Sequence, residues 1–164
     1  MNGPRPLLFL DVDGPLIPFG GAAAPVSPDD EGNPLLARVD PAHGPRLAAL
    51  PCELVWATTW MDDANACVAP RLGLGPLPVV SWPGAEGGGE GVQEGVGGVH
   101  WKTRGLCAWA AGRPFAWVDD EITDADRAWV ADHYAAPALA HRVDPRRGLT
   151  DADFVALDAW LRAR

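Results

Sequence analysis

Lysine is almost absent from this chain. Lys102 is the only one in 164 residues, against twelve arginines. Acidic residues outnumber basic ones 22 to 13, for a formal net charge of -9. That sign argues against a sequence-independent grip on a long phosphate backbone, which needs a basic face. It leaves room for a small phosphorylated ligand held at one local positive point. Cysteine is scarce as well: Cys52, Cys67 and Cys107 are odd in number, far apart and form no CxxC pair. A disulfide framework and a structural zinc site are therefore not expected. The four histidines, His43, His100, His133 and His141, lack ligand spacing such as HExxH. No apolar run approaches membrane-spanning length. The apolar residues before Asp11 are too few for a signal-peptide core. These absences predict a soluble cytoplasmic protein with no membrane partner.

Apolar residues make up 48% of the chain, enough for a sizeable core, and the length suits one domain over residues 1–164. The most informative stretch is Pro6 to Leu16, PLLFLDVDGPL. Leu7 to Leu10 run without a polar break, then Asp11 and Asp13 follow, and Gly14 and Pro15 interrupt the regular backbone. A short all-apolar run bounded by Pro and Gly reads as a strand buried on both faces of a parallel sheet. Carboxylates at the carboxyl end of such a strand sit where open α/β sheets bind ligands. The plainer alternative is a strand end followed by an Asp-rich turn.

The rest of the chain alternates in the same way. Glu53–Ala57, Leu77–Trp82, Phe115–Val118 and a weaker Ala138–Val143 read as strands. Ala42–Leu50, Met61–Leu72, Lys102–Ala111, Thr123–Tyr134 and a last segment opening at Thr150 read as helices. Asp62 and Asp63 fall in a first helical turn, where the macrodipole favours them. Thr123 with Asp126, and Thr150 with Asp153, have the spacing of a capping box. Alternating strands and helices predict an α/β fold with helices on both faces of a parallel sheet. Two stretches read as long flexible loops, about 15–41 and 84–98. The glycines of the second lack the order of a P-loop.

Three strands end in residue types that phosphoryl transfer uses: Asp11 and Asp13, Thr58, and Asp119 with Asp120. Lys102 opens a helix before the last of these strands. This order, in FLDVDG (Phe9–Gly14), LVWATT (Leu54–Thr59), Lys102 and WVDDE (Trp117–Glu121), resembles the haloacid dehalogenase-like (HAD) hydrolase superfamily. The details WATTW, HWK and WVDDE look most like its small capless branch found in multifunctional RNA-repair proteins. The resemblance covers nearly the whole chain. It implies a Rossmann-like three-layer sandwich with a central parallel sheet of about five strands and no substantial cap domain. Where this chain has Pro15, the family more often has Thr or Val.

The chemistry follows from residue types. A carboxylate such as Asp11 can attack phosphorus and form an acyl phosphate. A second carboxyl, Asp13, can protonate the leaving oxygen and later deprotonate water. A dehalogenase has no leaving group to protonate, so Asp13 favours a phosphatase. Bringing a carboxylate near a phosphate dianion requires a cation, and magnesium suits oxygen ligands. The resemblance implies Asp11, the backbone carbonyl of Asp13 and Asp120 as magnesium ligands, with Asp119 beside them. Gly14, Thr58, Thr59, Trp60 and Lys102 are expected around the substrate, Thr58 on a phosphoryl oxygen and Lys102 neutralising Asp11 and the phosphate together. Trp60, Trp82 and Trp101 lie near strand ends or Lys102, where they would line the mouth or pack into the core; Trp56, Trp109, Trp117, Trp129 and Trp160 are expected in the core.

Neither the gap after Gly14 nor the one after the third strand is long enough for a cap with its own core. The expected substrate is therefore a phosphorylated small molecule or a nucleic-acid end reaching an open site. The contrasting expectation is a non-catalytic module that keeps the fold and binds a partner. The complete set Asp11, Asp13, Thr58, Lys102 and Asp120 disfavours it, because folding does not require five polar groups at strand ends.

Overall fold

A computed structural model describes residues 5–18, 36, 38–81 and 100–164, the Trp101 side chain excepted. The loop of 84–98, Trp82 and most of the 15–41 stretch lie outside the described residues. The central strand is β1 (Leu7–Leu10), with β2 (Glu53–Trp56) on one side and β3 (Phe115–Asp119) then β4 (Ala138–Arg142) on the other. All neighbours are parallel: Leu7 pairs with Glu53 and with Phe115, and Phe115 pairs with Ala138. The chain thus leaves β1 for one flank and later crosses to the other. That reversal opens a crevice at the carboxyl ends of β1 and its neighbours.

The unbroken apolar run of β1 is explained by burial on two faces. Leu8 and Leu10 point into one core with Leu54, Trp56, Ala116 and Val118, while Leu7 and Phe9 point into a second with Val55, Phe115 and Trp117. All four β1 side chains are fully buried. Helices α1 (His43–Ala49), α2 (Ala69–Leu72) and α5 (Asp151–Arg162) supply Leu47, Leu72 and Leu157 to the first core. Helices α3 (Trp101–Ala110) and α4 (Asp124–His133) supply Leu106 and Val130 to the second. The result is the expected three-layer α/β sandwich around a parallel sheet, and among the described residues there is no cap domain. No helix among them is long and apolar enough to cross a membrane.

Two elements differ from the sequence expectation. The Leu77–Trp82 strand reduces, where described, to one bridge between Val79 and Trp56, so the sheet has four strands with this segment lying along β2. Pro76 and Pro78 lack amide donors and cannot continue a ladder; what remains is Trp56 N–H to Pro78 O and Val80 N–H to Trp56 O, at 2.9 and 3.0 Å. The expected Met61–Leu72 helix is a π-helix over Ala64–Val68 followed by the single turn of α2. Pro70 removes one helical donor and its ring would strike the carbonyl four residues back. The wider turn, closed by Ala69 N–H on Ala64 O, relieves that clash. Asp62 and Asp63 consequently precede the first turn rather than occupying it.

The two capping boxes form as their spacing predicts, at Thr123 with Asp126 and at Thr150 with Asp153. Among the tryptophans expected inside, Trp56 and Trp117 are fully buried, and Trp129 and Trp160 are half-buried against the cores. Trp109 is the correction: it is 37% exposed, with its ring meeting Phe9 at 5.7 Å in an edge geometry. It lies on α3, so only one side of it faces the sheet.

Candidate active site

The site lies at the carboxyl ends of β1, β2 and β3. Asp11 continues the β1 ladder through its N–H to Val118 O at 3.1 Å, and only 6% of it is exposed. The chain then turns sharply, with Leu16 and Ile17 N–H both on Val12 O. Gly14 has φ +101°, and a Cβ there would lie 2.6 Å from Asp120 Cγ. Glycine is thus needed both for the backbone conformation and for the close approach of the β1 and β3 loops. Pro15 is buried, and its carbonyl accepts Leu149 N–H at 2.9 Å, which anchors the turn to the start of α5.

Lys102 is the second residue of α3 and only 4% exposed. Its ammonium meets Asp11 Oδ1 at 3.1 Å, Asp119 Oδ2 at 2.9 Å and the Ala57 carbonyl at 2.9 Å. Three acceptors match its three donors. The chain's sole lysine is therefore the cation at the centre of the site. Asp119 is fully buried at the end of β3, and its Oδ1 accepts Glu121 N–H at 3.0 Å. Asp120 is half-buried, and its carbonyl accepts Arg142 Nε–H at 3.2 Å. Thr58 is fully buried after β2, and its Oγ1 accepts Trp60 N–H at 3.2 Å. Trp60 is half-buried and its indole Nε1–H donates to Asp13 Oδ2 at 3.1 Å. Thr59 faces solvent. The Trp82 residue and the Trp101 side chain lie outside the described residues.

Carboxylate oxygens of Asp11, Asp119 and Asp120 lie within 4.8 Å of one another. One ammonium faces these three carboxyl groups, so the buried charge is unbalanced toward the negative. Burial, reinforced by Asp119, holds the Asp11 carboxyl well above the usual carboxylate range despite Lys102. Burial and Asp119 likewise push Asp120 up to about 7. Burial also works against ionised Asp119, but the Lys102 ion pair and the Glu121 amide outweigh it and keep that carboxylate below its ordinary value. Burial disfavours the Lys102 ammonium, yet the two aspartates hold its pKa above normal. An additional cation would relieve Asp11 and Asp120 together, and three carboxylates with an adjacent loop carbonyl are the hard oxygen donors magnesium prefers. Both Asp119 oxygens already accept hydrogen bonds, which leaves Asp120 the better placed of the pair to serve as a ligand.

Two supporting residues act through contacts that the sequence does not show. His100 caps α3, its Nδ1 accepting Lys102 N–H at 3.2 Å while Nε2 meets Glu121 Oε2 at 2.7 Å. Asp126, legible only as a helix cap, uses its second oxygen on His100 N–H and Thr103 Oγ1, at 2.5 and 2.9 Å. It therefore ties the start of α3, and with it Lys102, to the start of α4. Beside Asp120 opens a groove of about 310 Å³ whose lining includes Thr123, Arg127 and Arg142. The family model described as the HAD domain in Swiss Army Knife RNA repair proteins matches residues 7–154. No curated protein and no solved structure matches the chain.

Proposed function

The chain belongs to the family of HAD domains in Swiss Army Knife RNA repair proteins, and from that premise we propose that it is a magnesium-dependent phosphomonoesterase of the cytoplasm, working through a phosphoryl group carried on Asp11. The observation that supports this most is the buried contact of the Lys102 ammonium with Asp11 and Asp119, with Asp120 close by. A buried lysine with three acceptors fixes the Asp11 carboxylate in place. Asp11 would attack phosphorus as the ester P–O bond breaks. Asp13 would give its proton to the departing oxygen, releasing the alcohol. Water would then attack the phosphoryl group, pass a proton to Asp13, and free phosphate and Asp11. Thr58 would hydrogen-bond a phosphoryl oxygen, with Gly14 and Thr59 around the bound group.

Asp11, the Asp13 carbonyl and Asp120 would hold the magnesium ion, with Asp119 beside them. When bound, the ion supplies positive charge that offsets the phosphate and the carboxylates. A second reading, a phosphatase for nucleic-acid ends, is favoured by the RNA-repair family match. The test is phosphate release from small phosphomonoesters and 3′- or 5′-phosphorylated oligonucleotides, with and without magnesium, using wild type and Asp11→Asn. Magnesium-dependent turnover that falls by at least about 10³-fold in Asp11→Asn is expected, because the nucleophile is removed. Turnover that survives in Asp11→Asn would sink the aspartyl-phosphate route. A preference for oligonucleotide ends over small esters would select the second reading.

A further inference from the structure

We propose that Trp60 is a positioning residue for proton transfer at Asp13, holding that carboxyl group through its indole N–H. The inference rests on the phosphatase reading, in which Asp13 is the general acid and base. Trp60 Nε1 donates to Asp13 Oδ2 at 3.1 Å and so joins the loop after β2 to the loop after β1, 47 positions apart in sequence. Indole N–H is a donor only. It therefore occupies Oδ2 as an acceptor and leaves Oδ1 as the oxygen to exchange a proton with the substrate. One fixed bond thus selects which oxygen serves as acid and restricts rotation of the carboxyl plane.

Trp60 is itself held. Its backbone N–H donates to Thr58 Oγ1, and its ring packs against the core formed by β1 and β2. Met61, immediately after, has φ +53°, a left-handed conformation that a residue with a Cβ rarely adopts. The backbone at this point departs from its preferred conformations, and the indole comes out against Asp13. Packing against the core would be served equally well by a phenyl ring. The N–H is the part of this side chain that only Asp13 uses among its described partners.

The step at issue is the first one. A bond forms between Asp11 and phosphorus, the ester P–O bond breaks, and the departing oxygen takes the Asp13 proton. An alkyl leaving group needs that proton, whereas p-nitrophenolate departs without it. The experiment compares wild type, Trp60→Phe and Asp13→Ala on p-nitrophenyl phosphate and on an alkyl phosphate. For Trp60→Phe, kcat/KM, which covers only the steps up to departure of the alcohol, is expected to fall about tenfold on the alkyl ester and by less than about twofold on the aryl ester. Equal losses on the two esters overturn the inference, as does a rise in KM alone, which would mark the ring as a substrate-stacking surface.

Asp13→Ala separates the two levels. If it shows the same selectivity for the alkyl ester while Trp60→Phe does not, only the inference fails. If Asp13→Ala lowers kcat/KM equally on both esters, Asp13 is not the acid of the first step, and if wild type releases phosphate from neither ester nor any oligonucleotide end, the phosphatase reading fails; either result takes the inference with it. A readout independent of turnover is the indole N–H resonance of Trp60, identified by its loss in Trp60→Phe. It is expected to shift in Asp13→Ala, and an unmoved resonance would show the contact to be absent in solution.

Discussion

The starts of α4 and α5 are built alike. At each, a threonine caps the helix and an aspartate three residues on closes the box, its Oδ2 accepting from the threonine N–H at 2.8 Å and from its hydroxyl at 2.9 Å. They differ in the other oxygen. Asp126 Oδ1 takes His100 N–H and Thr103 Oγ1, is fully buried, and so braces the helix that carries Lys102. Asp153 Oδ1 meets His141 Nε2 at 2.8 Å and braces β4 at the sheet edge, where it is still partly open to water. One local motif thus has two duties: near the candidate site it braces the helix that carries Lys102, and at the edge it only closes the fold. Asp11 and Asp120 at the candidate site stand in contrast to Asp153, since burial raises them instead of being offset.

The sharpest way to break this comparison is to truncate each cap. Asp126→Ala orphans donors on His100, Thr123 and the buried Thr103 and is expected to cost about 3 kcal/mol of stability. It should also lower phosphatase turnover, because α3 loses the bond that sets the start of its first turn. Asp153→Ala removes a cap and a histidine contact and should cost about 1–2 kcal/mol, with turnover per folded molecule unchanged. Denaturant unfolding and kinetics on the same samples check both. Equal effects on turnover would erase the distinction between the two caps.

Next in size is Asp120→Asn. It removes a carboxyl group that burial and Asp119 make unfavourable when ionised, so the metal-free protein should gain stability, with a Tm rise of roughly a few degrees at pH 8. The same substitution should abolish the rise in Tm expected of wild type on adding magnesium. Thermal scans with and without magnesium read both effects.

The smallest effects are in the pH dependence, and their signs oppose. Asp120 has a folded pKa raised to about 7, above its unfolded value. Its contribution is fully present near pH 4 and is lost as pH rises toward 7. The Tm advantage of Asp120→Asn without magnesium should therefore grow across that window. For Asp153, burial is outweighed by the Thr150 amide and His141, and its folded pKa is lowered. Its contribution is present above about pH 4 and is lost as pH falls through the lowered value. The deficit of Asp153→Asn should thus shrink in acid. Difference curves with the same slope would contradict this contrast.

Much of this was legible in the chain. An apolar run without alternation, as in Leu7–Leu10, has no polar face to offer water, so it has to lie inside a parallel sheet. The polar residues that end such runs are delivered to one edge of the sheet, which is why Asp11, Thr58 and Asp119 were recognisable in advance. Lys102 stood out by rarity and by its place at a helix start. Local spacing was enough for both capping boxes. The prolines at 70, 76 and 78 were visible too, but their effect on the Met61–Leu72 helix and the Leu77–Trp82 strand emerged only from the packed backbone.

Pairing at a distance was not legible. Nothing near Asp126 announces His100, nothing near Trp60 announces Asp13, and the tilt that brings Gly14 against Asp120 is a property of the assembled loops. Sequence patterns follow from the local periodicity of the backbone, which each segment carries on its own. Charge balance and hydrogen-bond partners depend on which segments meet and how much water is excluded between them. The alternation of strands and helices and the residues at the strand ends were therefore written into the chain. The burial that raises Asp11 and Asp120, and the choice of partner for each second aspartate oxygen, arose only when the sheet and helices closed around them.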